Sequence, residues 1–439
     1  MAKLFEEQTM LRKALDSVDS AVLRSEDLDP VLHEELVEKQ PLLSLFDVEQ
    51  ADGKVHEYRK IASHPKGWFE GESTPANARK GTYSREAVQL KILRNWGEVT
   101  GFNQAVTKKD LDMLAQEIDL SLQGVSDIIE WSTLYGVADD YDFTGDAYQF
   151  TGILPVIYSE TPTHVFNGAG GKITLAMLDE LIDAIDYRGM DGDPKFFTMA
   201  GNMKTVVDGL QTKVQMLVSS AELFDGKFTM GTYDGLPIFK TNMVKSGTSG
   251  VTGLGAADGG GSGTGALNEV YGYRVASVTF EGEQVAVAEA TVTPTADHEV
   301  DVTWTADADA YAYMIFREPT TGAAGHKLVD IIPAKTYDSA GTVNGVVELW
   351  VDTDFSVEIA EVEPLETGEQ IILLSNASNR NGASYLGMVD SMGVAVDSMV
   401  SYVPLARTKD SYDFMLKSYL TMKIVNPALF AVLRNVKIV

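Results

Sequence analysis

The chain has six histidines, His33, His56, His64, His164, His298 and His326, and no cysteine. Without cysteine, disulfides and thiolate metal sites are excluded, which fits a protein made in a reducing cytosol. No two histidines have the spacing of a helical metal pair, and there is no His-Glu-x-x-His. No Gly-x-Ser-x-Gly elbow offers a nucleophilic serine. The stretch "NGAGGKITLAMLDEL" puts glycines ahead of a helix, as a phosphate loop would. However, Gly171-Lys172 is followed by Ile173 rather than Ser or Thr, and Phe166 holds the first glycine position, so a plain turn and helix start is expected. In "RGMDGDP", Asp191 and Asp193 lack the later glutamate of a calcium loop, and Pro194 interrupts it. Asp307 and Asp309 in "TADADAY" read as turn residues between strands. The sequence therefore singles out no catalytic, cofactor-binding or metal-ligating residue, and a non-enzymatic protein is expected.

The elements that would carry such residues divide into blocks. Residues 1–50 are charged, poor in aromatics and interrupted by Pro30 and Pro41, and read as an extended arm. Residues 51–96 read as two strands, "KVHEYRKIAS" and "EAVQLKILRNW", around the polar tip "GWFEGESTPANARKGTYS". Such a hairpin is too polar to bury both faces and should project. Over 107–136, Leu111, Leu114, Ile118, Leu122, Val125 and Ile129 step by three and four, which predicts a long helix. Thr107 and Asp110 have capping-box spacing, Gly136 would close the helix, and Gly124 would mark a bend. At 1.5 Å per residue the helix would be about 40 Å long.

Residues 150–244 alternate in type: "GILPVI" as strand, "ITLAMLDELIDAID" as helix, "KFFTMAG" as strand, "NMKTVVDGLQTKVQMLVSS" as helix, and "DGLPIFKTNMV" as an edge strand because of Pro237. Nine of the nineteen residues from Gly247 to Gly265 are glycine, so this tract reads as a flexible linker. The pattern then changes to short Val-, Thr- and Tyr-rich strands: "VYGYRVASVTF", "QVAVAEATVTP", "HEVDVTWTA", "AYAYMIFRE", "HKLVDIIP" and "GVVELWVDT". That is the pattern of an all-β sandwich. Trp304, Trp350 and Tyr313 are expected in its core rather than on a binding face. From about residue 368 the earlier style returns, with "EQIILLSN" and the long strands of "VSYVPLARTKDSYDFMLKSYLTMKIV". The β-rich block thus reads as an insertion at a loop, entered through the glycine tract and left through "AEVEPLETGEQ", and its deletion would be tolerated.

The formal net charge is -29. Residues 246–366 hold 20 acidic and 4 basic residues, over half of that charge in well under a third of the chain. A surface of this sign repels nucleic-acid phosphates and suits a solvated, self-repelling exterior. "MAKLFEEQTMLRKALDSVDS" has no apolar h-region, and no apolar run approaches the ~20 residues of a membrane span, so neither a secretory leader nor a membrane partner is expected.

This order of elements resembles the major capsid protein of tailed bacteriophages with the HK97-like fold, an α+β architecture. The residues that carry the resemblance are "MAKLFEEQTMLRKALDSVDSAVLRSEDLDP" for the N-arm and "HEYRKIASHPKGWFEGESTPANARKGTYSREAVQLKI" for the E-loop. "TKKDLDMLAQEIDLSLQGVSDIIEWSTLYG" matches the spine helix, "KITLAMLDELIDAID" through "DGLPIFKTNMV" the A-domain, and "YLTMKIVNPALFAVLRNVKIV" the closing strands. The resemblance implies an N-arm at 1–50, an E-loop at 51–96, a P-domain with spine helix at 97–140 and an A-domain at 141–245. An insertion at 246–366, an A-domain return at 367–400 and closing P-domain strands at 401–439 complete it. The insertion resembles an immunoglobulin-like or fibronectin type III domain through "VDVTWTADADAYAYMIFRE", although "YGYRVASVTFEGEQVAVAEATVTP", similar to an F–G hairpin, comes first.

The resemblance implies a virion shell protein, assembled in the host bacterial cytoplasm into pentamers and hexamers around double-stranded DNA without gripping it. Scaffolding, portal and decoration proteins would be its other partners. Some shells of this fold crosslink a hairpin lysine to a neighbour; here Lys54, Lys60, Lys66 and Lys80 are the lysines on offer, and no crosslink is expected. An encapsulin-like compartment shares the fold and is the alternative. A surface adhesin fits less well.

Overall fold

The computed structural model describes residues 42–438 apart from 64, 68, 70–79, 108–111, 138–148, 187–194, 215–220, 223–228, 262, 265–268, 319–324, 338–342, 356–361, 367, 376–382, 389–393, 396–399 and 406–408. Most of the arm, His33, His64, Asp110, Asp191 and Asp193 therefore lie outside the described residues.

After a 3-10 turn at Leu42–Ser44 come β1 (Val48–Gln50), β2 (Val55–Ser63), β3 (Thr82–Gln89) and β4 (Lys91–Thr100). β2 and β3 pair antiparallel from Val55↔Gln89 to Ser63↔Thr82, which is the expected hairpin. β4 leaves it to run antiparallel to a long strand near the C-terminus. Helix α1 (Gly101–Thr107) and helix α2 (Met113–Tyr135) follow. The long helix thus starts later than the periodicity implies, and Thr107 belongs to the short helix before it. Its N-cap is Asp112, whose carboxylate accepts from Ala115 N (3.3 Å) and from Gln104 Nε2 (2.8 Å), while Gln104 Oε1 accepts from Leu114 N (3.1 Å). Gly136 closes the helix, but with φ −52°, not in the left-handed region. It is glycine because a Cβ there would lie 2.3 Å from Phe150 O.

Helix α3 (Ile153–Glu160) replaces the strand expected at "GILPVI". A six-residue apolar run does not distinguish strand from helix. Pro155 sits in the first turn, where no backbone N–H is needed, and Ile153, Leu154, Ile157 and Tyr158 are buried at helical spacing. The next elements are β5 (Val165–Asn167), α4 (Leu175–Asp186), β6 (Lys195–Met199), α5 (Gly201–Val214), β7 (Ala221–Glu222), β8 (Thr229–Tyr233) and β9 (Leu236–Lys240). β9 is not an edge strand: it lies between β6 and β8. Asp234 and Gly235, both with positive φ, form a two-residue hairpin turn closed by Tyr233 and Leu236. The next pair, Thr232↔Pro237, is then the non-hydrogen-bonded one, and pairing with β6 begins only at Ile238. The missing proline N–H costs the sheet nothing.

The glycine tract is not a tether. It contains β10 (Thr252–Asp258), which pairs antiparallel with β14 (Val300–Thr305). Its glycines allow close approach: a Cβ on Gly250 would lie within 2.7 Å of the Asp307 carboxylate, which accepts the Gly250 N–H at 3.0 Å. Between these strands run β11 (Tyr271–Thr279), β12 (Gly282–Glu283) and β13 (Ala290–Val292). Most of "QVAVAEATVTP" outside β13 is not ladder. Then follow β15 (Ala310–Glu318), β16 (Lys327–Pro333), β17 (Lys335–Tyr337), β18 (Val343–Val346) and β19 (Leu349–Asp352).

A three-stranded sheet, β10-β14-β19, faces a five-stranded sheet of β12-β11-β15-β16 with β13 on β11. Val251, Tyr271, Tyr273, Val275, Val300, Val302, Trp304, Tyr313 and Ile315 form their shared core. The opposite face of the five-stranded sheet, Ala276, Val278, Ala312, Met314 and Phe316, joins the main core of the molecule. β11 and β15 are therefore buried on both faces.

The chain closes with β20 (Glu369–Ser375), β21 (Ala383–Met388), β22 (Val394–Ala395), β23 (Ser401–Pro404), β24 (Ser411–Ile424) and β25 (Ala431–Val436). These return to the earlier elements. β20 and β25 complete a seven-stranded sheet, β5-β25-β20-β6-β9-β8-β7. β24 is the axis of a six-stranded sheet in which it pairs with β4, β21 and β23.

Candidate functional site

The surface, rather than a cavity, carries the unusual chemistry. Along β4, burial alternates, and the outward positions include Ile92 and Trp96, with Trp96 68% exposed. Opposite them on β24 stand Tyr419 and Met415, both half-buried on the same face. Phe102 and Val106 on α1 and Leu120 on α2 are also exposed. Directly opposite residues share a face in an antiparallel pair, so Ile92 with Tyr419 and Trp96 with Met415 form two apolar pairs on one face, separated by the Arg94–Lys417 pair. Together they leave several large apolar side chains of one region open to solvent.

The β2–β3 hairpin adds Ile61 and Tyr83, exposed and directly opposite each other. Among the described residues no third strand joins this pair. Its charges are matched across the strands, Lys60 with Glu86 at 2.5 Å and Arg85 with Glu57. The Tyr58 hydroxyl anchors the hairpin's base, within 3.0 Å of Glu86 Oε2 and 3.1 Å of Ile424 O at the end of β24. Lys423, beside it, pairs with Glu49, whose pKa lies below the usual carboxylate value because hydrogen bonds from Lys423 and Ser384 outweigh its burial.

The five-stranded sheet is tied to the rest of the molecule by buried polar contacts. Arg434 on β25 donates from Nη2 to Glu283 Oε1 on β12 (2.6 Å) and to Glu363 O (3.0 Å), and from Nη1 to the Tyr158 hydroxyl (2.5 Å). Gln370 Nε2 donates to Glu283 Oε2 at 2.6 Å. Trp131, near the C-terminal end of α2, donates to Thr279 O (2.9 Å), and its ring lies 4.9 Å from that of Tyr311. "AEVEPLETGEQ" is held too: Val362 and Leu365 are buried, and Asn435 Nδ2 donates to Pro364 O at 2.9 Å. The two facing sheets are themselves joined by Arg317, which donates to Asp352 Oδ2 (2.7 Å), and by Tyr273, which donates to the same oxygen (2.8 Å).

The sequence candidates fall out as follows. The turn after β5 offers no phosphate cradle, because Gly168 N and Gly170 N already donate to Arg434 O and Asn435 O and Gly171 N donates to Gly168 O. Asp307 caps the β14–β15 turn, accepting from Asp309 N at 3.1 Å. Trp304 and Tyr313 are core, and half-buried Trp350 donates to Asp330 (2.9 Å). His164 is buried with Nδ1 3.0 Å from Phe430 O, and His298 lies 2.7 Å from Asp258. Lys60 is paired with Glu86 rather than free on the hairpin.

Sequence spacing missed His326. It stands with Glu289 and Glu318, one ligand atom from each lying within 4.8 Å of the others. Burial holds its pKa below the ordinary histidine value. Only strand pairing brings together residues so far apart in the chain.

A mixed helix-and-sheet body with a long helix, a separate two-stranded hairpin and exposed apolar pairs fits a protein that is covered by neighbours rather than one built around a catalytic cleft. Residues 9–232, half of the chain, match the family described as SU10 major capsid protein, and the chain belongs to that family. Its fold is similar to that of the SrpI encapsulin from Synechococcus elongatus (11% identity, TM-score 0.52, 96% of each chain covered). It is also similar to the capsid of cyanophage A-1(L) (12%, 0.51, 95% of this chain and 99% of that one). The capsid of a native GTA particle shares the fold as well (9%, 0.50, 96% and 99%). No curated protein sequence matches the chain. The chain is thus a viral major capsid protein of bacteriophage type, and its family is structural rather than enzymatic. Among the described residues no helix is long and apolar enough to cross a membrane.

Proposed function

We propose that copies of this chain assemble into pentamers and hexamers of an icosahedral phage head that encloses double-stranded DNA. The observation that carries this reading is the set of exposed apolar pairs, Ile92 with Tyr419 and Trp96 with Met415 on β4 and β24, together with Ile61 and Tyr83 on the hairpin. A neighbouring subunit that covers these side chains gains the transfer free energy that a lone monomer forgoes. On this reading 51–96 is the E-loop, 97–140 holds the spine helix, 141–245 with 367–400 is the A-domain, and 401–439 closes the P-domain. Residues 246–366 are an inserted immunoglobulin-like sandwich facing outward, a reading supported by their two facing sheets and concentrated negative charge. Scaffolding and portal proteins would be partners during assembly in the host cytoplasm. The acidic shell favours weak contact with the packaged DNA.

The likeness to an encapsulin supports a second reading, a compartment with protein cargo. Nucleic acid against protein in purified shells separates the two.

The test is negative-stain electron microscopy and sedimentation of the full chain. Closed shells or rings are expected, and Trp96→Glu should remain as folded, unassembled subunits. A wild-type chain that stays monomeric alone and with a scaffolding partner overturns the proposal.

A further inference from the structure

The body-facing side of the five-stranded sheet brings together three groups that the capsid role leaves unused. Gly272 on β11 pairs with Glu318 on β15, and Arg317 beside it pairs with Lys327, so His326 comes alongside Glu318 at the start of β16. Glu289 immediately precedes β13, which pairs with β11 at Gly272↔Thr291. Gly272, Glu318 and His326 align across the sheet, and Glu289, two residues before Thr291, lies diagonal to Gly272 and reaches back toward them.

Gly272 is the cradle of that cluster. A Cβ there would lie 1.8 Å from Glu289 Oε1, so only glycine lets the Glu289 carboxylate fold across β11 toward the other two groups. His326 Nε2 is 3.7 Å from Glu289 Oε1, and its Nδ1 is 3.8 Å from Glu318 Oε2. Both separations exceed hydrogen-bond range. Nε2 is shut off from solvent and has no hydrogen-bond partner. An imidazole flanked by two carboxylates, with its buried Nε2 left without a partner, leaves a need that a cation would meet.

We infer that Glu289, Glu318 and His326 form a divalent-cation site of the zinc class. A tetrahedral ion with bonds of about 2.0–2.2 Å sets its ligand atoms about 3.3 Å or slightly more apart, so ligand atoms that now lie within 4.8 Å of one another need to close by up to about 1.5 Å. One imidazole and two carboxylates form a mixed nitrogen–oxygen set that suits zinc better than the all-oxygen cages of calcium or magnesium. Water would complete the coordination. The ion would clasp β13, β15 and β16 beside Arg274, which contacts Glu366 on the returning chain (3.5 Å), and beside Val362 O, which accepts from Leu328 N (2.9 Å). Zinc would therefore brace three strands of the five-stranded sheet against one another, next to the point where the chain re-enters the body.

The test uses the full chain, stripped with chelator, dialysed and titrated with ZnCl2 by calorimetry, with Co2+ absorption as a second probe. One zinc per chain, a tetrahedral cobalt band and a raised unfolding temperature are expected. His326→Ala should abolish binding. Glu289→Gln, at an exposed position where folding is not at risk, should weaken it about tenfold or more. Three results would each overturn the site: no zinc uptake by the wild-type chain, equal uptake by the folded Glu289→Gln and His326→Ala variants, or calcium or magnesium binding as tight as zinc.

Discussion

Arg434 Nη2 lies 2.6 Å from Glu283 Oε1, and solvent reaches essentially none of either side chain. The pair joins β25 of the shell body to β12 of the facing sheets. Removing one partner leaves a charge buried without its counter-ion, at a cost of about 3–5 kcal/mol. Glu283→Ala should lower stability by that order in urea unfolding, and Glu283→Leu combined with Arg434→Met should recover most of it. Deleting residues 247–366 would take Glu283 and Glu363 from Arg434, leaving Tyr158, and Thr279 from Trp131. The tolerance expected of a loosely tethered insertion should therefore be absent, and the deletion chain should be insoluble or form no shells on electron microscopy.

Glu130 on α2 is buried, neither of its oxygens has a well-formed hydrogen bond, and burial pushes its pKa up to about 9. The Leu42 backbone and the Thr241 side chain offset little of that. The carboxyl is thus protonated in the folded chain at neutral pH and ionised once the chain unfolds. Its contribution is fully present below the ordinary pKa near 4.5 and is lost as pH rises toward 9, at up to about 1.4 kcal/mol per pH unit. Glu130→Gln removes this dependence. Compared with wild type across pH 5–9, the variant should gain relative stability as pH rises; a constant difference would show that Glu130 does not titrate in this window.

Gly97 on β4 lies opposite Phe414 on β24, and a Cβ there would be 2.2 Å from the ring. Gly97→Ala forces the ring aside in a packed core and should cost about 1–3 kcal/mol. Differential scanning calorimetry would register the loss as a lower unfolding temperature.

Gly124 within α2 and Gly136 at its C-cap should respond in opposite directions. A Cβ at Gly124 meets nothing, so Gly124→Ala should stabilise the isolated chain by up to about 1 kcal/mol. Gly136→Ala would drive a methyl into Phe150 O and should destabilise it. Thermal melts of both variants check the pair.

The sequence by itself determined the local elements and their order. Periodic leucines and isoleucines gave α2 and α4, because a helix face is written at spacings of three and four. Alternation gave the β2–β3 hairpin, and the order of blocks carried the capsid resemblance. Tertiary structure decided whatever depends on a partner distant in the chain. Glycine-rich composition signals freedom, yet β14 supplies the ladder that makes Thr252–Asp258 a strand. Pro237 reads as an edge signal until the turn at Asp234–Gly235 fixes which pairs need an N–H. The apolar run at Ile153 became a helix rather than a strand because its burial matches helical spacing against the core. The apolar pairs across β4 and β24 needed the register of the two strands to appear. Glu289, Glu318 and His326 meet only because β11, β13, β15 and β16 align across a sheet, a pairing that residue spacing along the chain does not encode.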